Sequence, residues 1–295
     1  MKRHAIKLLF AIRLAALGAL PGVFVPGQSA AEAIPPGRGN QTVDLGGTAL
    51  DVYTYRPQSC APTELLVIFH GDSRNVDGYR TAAQPIADRW CMIVLTPLFD
   101  AVRFPGWRYQ FGGIARGGAV QPAGEWTGNL VLQLIEWARR DEGRPKLPYA
   151  LMGFSAGAQF VSRFAAFIPN TATRIVVDAA STYVTPALDV AAPYGFKGID
   201  RDADAEQALR RYLAEPILVV VGTADTGTRD LDMSDMATQQ GGNRHERAVN
   251  LYNAAAAAAR ARGTTFNWRL IEVPALGHAA AITPEVSAAL EPSAK

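Results

Sequence analysis

LMGFSAG, residues 151 to 157, is the stretch that decides the fold of this 295-residue chain. Gly153, Ser155 and Gly157 stand in the spacing G-x-S-x-G. An apolar run precedes them at 149–152, and a helical pattern follows at 156–167. The order is strand, sharp turn, helix. It sets Ser155 at the apex of the turn in a strained backbone conformation, its hydroxyl lifted clear of the sheet. Side chains at 153 and 157 would strike the neighbouring strand and helix, so both positions need glycine. The amide of Ala156, at the helix start, then faces an incoming oxyanion. The competing reading is a structural turn whose serine caps the helix; a strand and a helix on the correct sides favour the nucleophile.

Working outward, the same alternation recurs. Upstream, residues 34–41 read as a loose Pro/Gly arm, and 42–45 and 49–56 as a hairpin around Gly46-Gly47. Residues 65–69 are wholly apolar, as a strand buried on both faces is, and end in His70-Gly71-Asp72. Residues 76–90 read as a helix broken or restarted at Pro85, and 92–96 as a second buried strand. A long irregular segment, 98–124, carries Phe104, Trp107, Tyr109 and Phe111, and loops of this length often line binding sites. Residues 126–140 form an amphipathic helix with Leu130, Leu134 and Trp137 on one stripe.

Downstream, strands are expected at 174–178, 217–221 and 266–273, and helices at 204–214, 245–262 and 283–290. The strand 217–221 runs into Gly222-Thr223-Ala224-Asp225, and the last strand is followed by Gly277-His278. Strands alternating with helices define an α/β fold, a doubly wound and mostly parallel sheet flanked by helices, in a single domain without internal repeats.

Residues 1–33 are not read as fold. Lys2, Arg3 and Lys7 precede an apolar run at 8–25, and Ala31-Glu32-Ala33 fits an A-x-A cleavage site. This predicts a signal peptide over 1–33, a mature domain over 34–295, and export to the periplasm or the medium. Arg13 interrupts the apolar run, which argues against a lasting membrane anchor. The leader holds Lys2, Arg3, Lys7, Arg13 and Glu32. The remainder has 25 basic and 26 acidic residues, against 29 and 27 for the whole chain, a net charge of −1. Nothing in that balance calls for a nucleic-acid partner. Cys60 and Cys91 are the two cysteines, and an oxidising compartment favours a disulfide between them over two buried thiols.

A serine hydroxyl needs a base, and the base needs a carboxylate to orient it. After residue 33 the histidines are His70, His245 and His278. His278 lies in a loop beyond the last strand and is the candidate base, whereas His245 opens a helix among charged residues. Asp225 is the leading acid, just past the C-terminal end of its strand, where the sites of open α/β sheets lie. Asp230, Asp232 and Asp235 in the same loop, and Asp178 at the end of the preceding strand, are its rivals. Asp72 offers a backbone amide opposite that of Ala156, provided its carboxylate points away, toward Arg74 or an amide.

With HGD at 70–72, GFSAG at 153–157, GTAD at 222–225 and GH at 277–278, the chain resembles the α/β-hydrolase superfamily. Within it, the chain looks most like secreted esterases of the polyhydroxybutyrate depolymerase and feruloyl esterase type. The resemblance implies a triad of Ser155, Asp225 and His278, oxyanion amides at Asp72 and Ala156, and acyl transfer from an ester to water. Gly227-Thr228-Arg229 departs from the pattern, since relatives often dock this loop with hydrophobic and Pro residues. No metal or organic cofactor is implied, there being no ligand cluster in the sequence. Trp107, Tyr109 and Phe111 alternate, so they either line an acyl pocket or pack the loop down. Arg108, Arg116 and Arg244 either receive a polar substrate or are solvated at the surface. The ester is small or polymeric, and the oligomeric state is open. The rival functions are an amide or peptide hydrolase with the same triad, and a binding protein on an inactive hydrolase scaffold.

Overall fold

A computed structural model describes residues 33–199, 202–280 and 283–292. The expected signal peptide, apart from Ala33, lies outside the described residues. The chain opens with an antiparallel hairpin, β1 (Gly37–Leu45) and β2 (Thr48–Arg56), followed by β3 (Glu64–Phe69), α1 (Val76–Trp90) and β4 (Met92–Pro97). The long excursion carries only a two-residue ribbon, β5 (Ala115–Arg116) and β6 (Ala119–Val120), and a 3-10 turn at Ala123–Glu125. Then come α2 (Gly128–Asp141), β7 (Tyr149–Phe154), α3 (Ala156–Phe167), β8 (Arg174–Asp178), α4 (Asp202–Ala214) and β9 (Ile217–Gly222). Short α5 (Asp235–Thr238), long α6 (Arg244–Arg262), β10 (Arg269–Val273) and α7 (Pro284–Ala289) complete the described chain.

Eight strands form one sheet in the order β1-β2-β4-β3-β7-β8-β9-β10. β2 meets both β1 and β4 antiparallel, and β4 through β10 are parallel. The mostly apolar inner strands behave as two-faced elements. On β3, Leu65, Val67 and Phe69 enter the core shared with α2, α3, α4 and α6, while Leu66 and Ile68 enter the core that holds Ile86 of α1 and Val286 of α7. Burying each such side chain contributes about 1.5–3 kcal/mol. One compact unit runs from Ala31 to Lys295.

Three local expectations change. The loose arm at 34–41 is mostly strand, because Gly37 to Leu45 pairs residue for residue with Arg56 to Thr48. Pairing along an edge satisfies the backbone even where the side chains are polar or absent. Pro85 lies inside a continuous α1, where Ala83, Ile86 and Ala87 on either side of it are buried. The last strand begins at Arg269, not 266, since Trp268 is buried against Tyr212 and donates its indole N–H to the Tyr212 carbonyl at 3.0 Å. Cys60 and Cys91 form a disulfide; Cys91 caps α1 in the left-handed conformation (φ 53°).

Candidate active site

The elbow follows directly from β7 and α3. Ser155 has φ 54° and ψ −112°, a conformation that an L-residue adopts only under constraint. Its N–H donates to the Asp178 carbonyl at 2.9 Å. A Cβ on Gly153 would lie 2.3 Å from the Gly157 oxygen, and one on Gly157 would lie 2.1 Å from the Phe69 oxygen. The two glycines therefore let α3 start in contact with the end of β3.

β7, β9, β10 and β3 end at the same rim. His278 Nε2 lies 3.1 Å from Ser155 Oγ, and His278 Nδ1 lies 2.8 Å from Asp225 Oδ2. The imidazole stacks on Phe154, the residue before the serine, with ring centroids 4.9 Å apart. Asp225 is buried (2% exposed), its N–H donating to the Gly222 carbonyl and its own carbonyl accepting from His245 N–H. Its second carboxylate oxygen faces the Arg244 guanidinium at 3.8 Å. A carboxylate in that position fixes the ring tautomer, with Nδ1 as donor and Nε2 free to accept the serine proton.

The rival acids lie elsewhere. Asp178 is buried at the end of β8, below the elbow. Asp230 is exposed at the cleft, Asp232 accepts from Tyr194 Oη–H at 3.0 Å and Ser234 N–H at 2.9 Å, and Asp235 opens α5. The other histidines are occupied as well. His245 contacts Glu272 at 2.7 Å. His70 is buried, accepting from Phe99 N–H at 3.2 Å while Nδ1–H donates to the Gly71 carbonyl at 2.9 Å, and burial pushes its pKa down to about 4. It is a fixed neutral strut under the Gly71-Asp72 turn.

Ser155 and His278 open into a cleft of 640 Å³, within the usual range for small-molecule sites. Asp72 and Ala156 line it beside the serine. The Asp72 carboxylate is drawn aside, accepting from Gln110 Nε2–H at 3.0 Å with Arg74 at 3.9 Å. Of the three aromatic residues, Phe111 lines this cleft. Tyr109 does not: it is fully buried, its hydroxyl donating to the His70 carbonyl at 2.7 Å, its ring stacked on Phe99 and Phe160. Trp107 lines a separate cavity of 470 Å³, where Arg116 stacks over its ring at 4.8 Å and Arg108 lies at 5.8 Å. Alternation in sequence places residues on one face only in an extended chain. Here 104–114 is a succession of turns, with Phe104, Tyr109, Phe111 and Ile114 N–H groups bonded to carbonyls three to five residues back.

Arg244 is neither a substrate receiver nor solvated. It is buried, and donates to the carbonyls of Arg229 and Asp230. It docks the loop whose Gly227-Thr228-Arg229 sequence lacks apolar anchors. Further buried arginines escape the sequence reading. Arg163 donates to the Thr182 carbonyl at 2.7 Å, and Arg247 to the Ser181 carbonyl at 2.6 Å and the Gly241 carbonyl at 2.9 Å. The signal for Arg163 is a lone charge in the otherwise uncharged run AGAQFVSRFAAF. Among the described residues no cluster of His, Cys and carboxylates is arranged to hold a metal ion.

No family model and no curated protein sequence matches the chain. Solved structures do. The chain belongs to the α/β-hydrolase superfamily, being 32% identical over 83% of its length, and 95% of the other's, to poly(aspartic acid) hydrolase-1 of Sphingomonas sp. KT-1 (TM-score 0.77). A poly(3-hydroxybutyrate) depolymerase of Bordetella parapertussis is similar at 30% identity, covering 83% of this chain and 85% of its own (TM-score 0.76). Mycobacterium tuberculosis MPT51 shares the fold at 16% identity, with 87% and 96% covered (TM-score 0.54).

Proposed function

We propose that this chain is an exported serine hydrolase of carboxylic esters, working through an acyl-enzyme. The observation that carries the reading is the unbroken run of contacts from Ser155 Oγ through His278 to Asp225, at 3.1 and 2.8 Å. In the reaction, His278 Nε2 takes the hydroxyl proton as Ser155 attacks the ester carbonyl. The amides of Asp72 and Ala156 receive the developing oxyanion, and each such donor is worth ~3–4 kcal/mol of barrier. Asp225 stabilises the imidazolium. His278 then protonates the leaving alcohol, and later activates the water that releases the acid.

The two relatives are named for a polyester and for a poly(amino acid), so an amide hydrolase using the same groups is the second reading. Matched p-nitrophenyl esters and anilides separate the two, and dominant anilide cleavage rejects the ester assignment. A fluorophosphonate probe tests the nucleophile: wild type is labelled and Ser155→Ala is not. Equal labelling of the two puts the nucleophile elsewhere, and no labelling of the wild type leaves an inactive scaffold that only binds. The leader at 1–33, the mature domain at 34–295 and the Cys60–Cys91 disulfide support export; amino-terminal sequencing of protein recovered outside the cytoplasm tests it.

A further inference from the structure

Far from the cleft, the first residue of the expected mature chain is built into the fold. Ile34 is 1% exposed and belongs to the main core, although Ala33 before it and Pro35 and Pro36 after it are exposed. Its N–H donates to Glu142 Oε1 at 3.0 Å. The Glu142 side chain is itself only 3% exposed, at the end of α2, and is ion-paired with Arg56 of β2, which also donates to the Ile34 carbonyl at 3.2 Å. The nitrogen facing this buried carboxylate is the one that the A-x-A motif marks as the new terminus.

We propose that removal of the leader between Ala33 and Ile34 converts this amide hydrogen bond into a buried ion pair, with the α-ammonium of Ile34 locked on Glu142. The proposal rests on the leader reading above and is independent of the catalytic one. The step is a peptide hydrolysis by a leader peptidase. Water adds across the C–N bond, its oxygen going to the Ala33 carboxylate, and the freed amine takes up a proton. An amide offers Glu142 one neutral donor, whereas an ammonium offers three donors and a full charge in a place that solvent screens poorly. The exposed Ala33, with two prolines directly after the terminus, leaves Ile34 as the one residue of this arm anchored in the core. A chain cut one residue earlier or later cannot present a terminal amine to Glu142.

The other charged groups at this corner are Arg56, and Asp141 and Arg140 of α2. Pairing raises the α-amine above its ordinary value of about 7.7–8.0. The sign follows: the stabilisation is complete below that value and is lost as pH rises through the raised one.

The test uses the full chain, secreted and processed by the host. Exported protein is sequenced from its amino terminus, and its α-amine is titrated by the pH dependence of acylation with an N-hydroxysuccinimide ester. Thermal melting then compares wild type with a variant carrying one alanine inserted between Ala33 and Ile34, each with and without Glu142→Gln. The expected result is a chain beginning at Ile34, an amine that titrates above the ordinary range, and a Tm about 3 °C lower for the insertion at neutral pH. That difference closes at alkaline pH and disappears in the Glu142→Gln background. A chain beginning elsewhere overturns the cleavage site and with it the pair. A chain beginning at Ile34 with an ordinary amine, or an insertion without effect, overturns the pair and leaves the leader standing. Should Glu142→Gln fail to accumulate, the amine titration of wild type alone decides.

Discussion

Gly157→Ala puts the elbow under the sharpest test. The added Cβ would lie 2.1 Å from the Phe69 oxygen, 2.6 Å from the Phe69 carbon and 2.8 Å from the His70 oxygen. All three are backbone atoms, so no side chain can swing away. Reaching an ordinary separation requires α3 and the end of β3 to part by roughly 1 Å, in an interior packed like a crystal. Overpacking of this kind costs about 3 kcal/mol, a fall in Tm of about 6–12 °C for a domain of this size. The same displacement moves Asp72 away from Ser155, and a misplacement of about 1 Å lowers turnover by about a hundredfold. The control is Gly277→Ala, beside His278, where an added Cβ meets nothing within 4 Å. It is expected to keep its Tm to within about 2 °C. The measurements are thermal melting and the rate of fluorophosphonate labelling. If Gly157→Ala melts and labels like wild type, or Gly277→Ala is the more damaged of the two, the steric account of the elbow is wrong.

The remaining predictions concern the base, the cleft and the response to pH. Asp225→Asn keeps the fold but lowers kcat by about 10³–10⁴ through the wrong imidazole tautomer; a variant that turns over normally points to another acid. Phe111→Ala alters KM for esters and Trp107→Ala does not, since only Phe111 lines the cleft with Ser155; the reverse pattern in steady-state kinetics refutes this placement. Burial pushes the Glu215 carboxyl up to about 7, with Arg211 and Asn170 opposing it only in part. The fold therefore holds a proton there that the unfolded chain releases above about 4.5, and stability falls as pH rises between those values. Glu215→Gln should raise Tm by several degrees at pH 8, corresponding to at most about 3 kcal/mol, and give no gain at pH 4. Equal melting of the two proteins at pH 8 rejects the shifted carboxyl.

Much of this was legible in the sequence because backbone sterics write it there. Gly153 and Gly157 are glycine for want of room, and runs such as LLVIF at 65–69 are apolar throughout because both faces are covered. The order of motifs fixed which strand ends would carry Ser155, Asp225 and His278. The spatial order of the strands was not readable, because it depends on which elements pack together, not on any local pattern. Tyr109 was ambiguous because periodicity assumes a straight chain, and its segment coils. The buried arginines were invisible for a different reason. Sequence treats a guanidinium as a group that seeks water, yet Arg163, Arg244 and Arg247 find backbone carbonyls instead. Irregular loops above the sheet leave such acceptors without ladder partners, and a five-donor side chain suits them.

The two-faced strands carry one more implication. A strand that is greasy on one side only punishes a slip of one residue by turning its oily side chains to water. Residues 65–69 of β3 escape that penalty, since all five are apolar and buried. Sliding those five would exchange one apolar set for another, so the alignment must be keyed from the ends, at the lower one by buried Glu64, which pairs with Arg174 and accepts from the Thr173 hydroxyl. At the upper end, the keys are the His70 ring held by Phe99 N–H and the His70 carbonyl held by the Tyr109 hydroxyl. The polar clasps that hold the Gly71-Asp72 turn in place thus also index the central strand of the sheet, and damage to them should misalign the scaffold as well as silence the cleft.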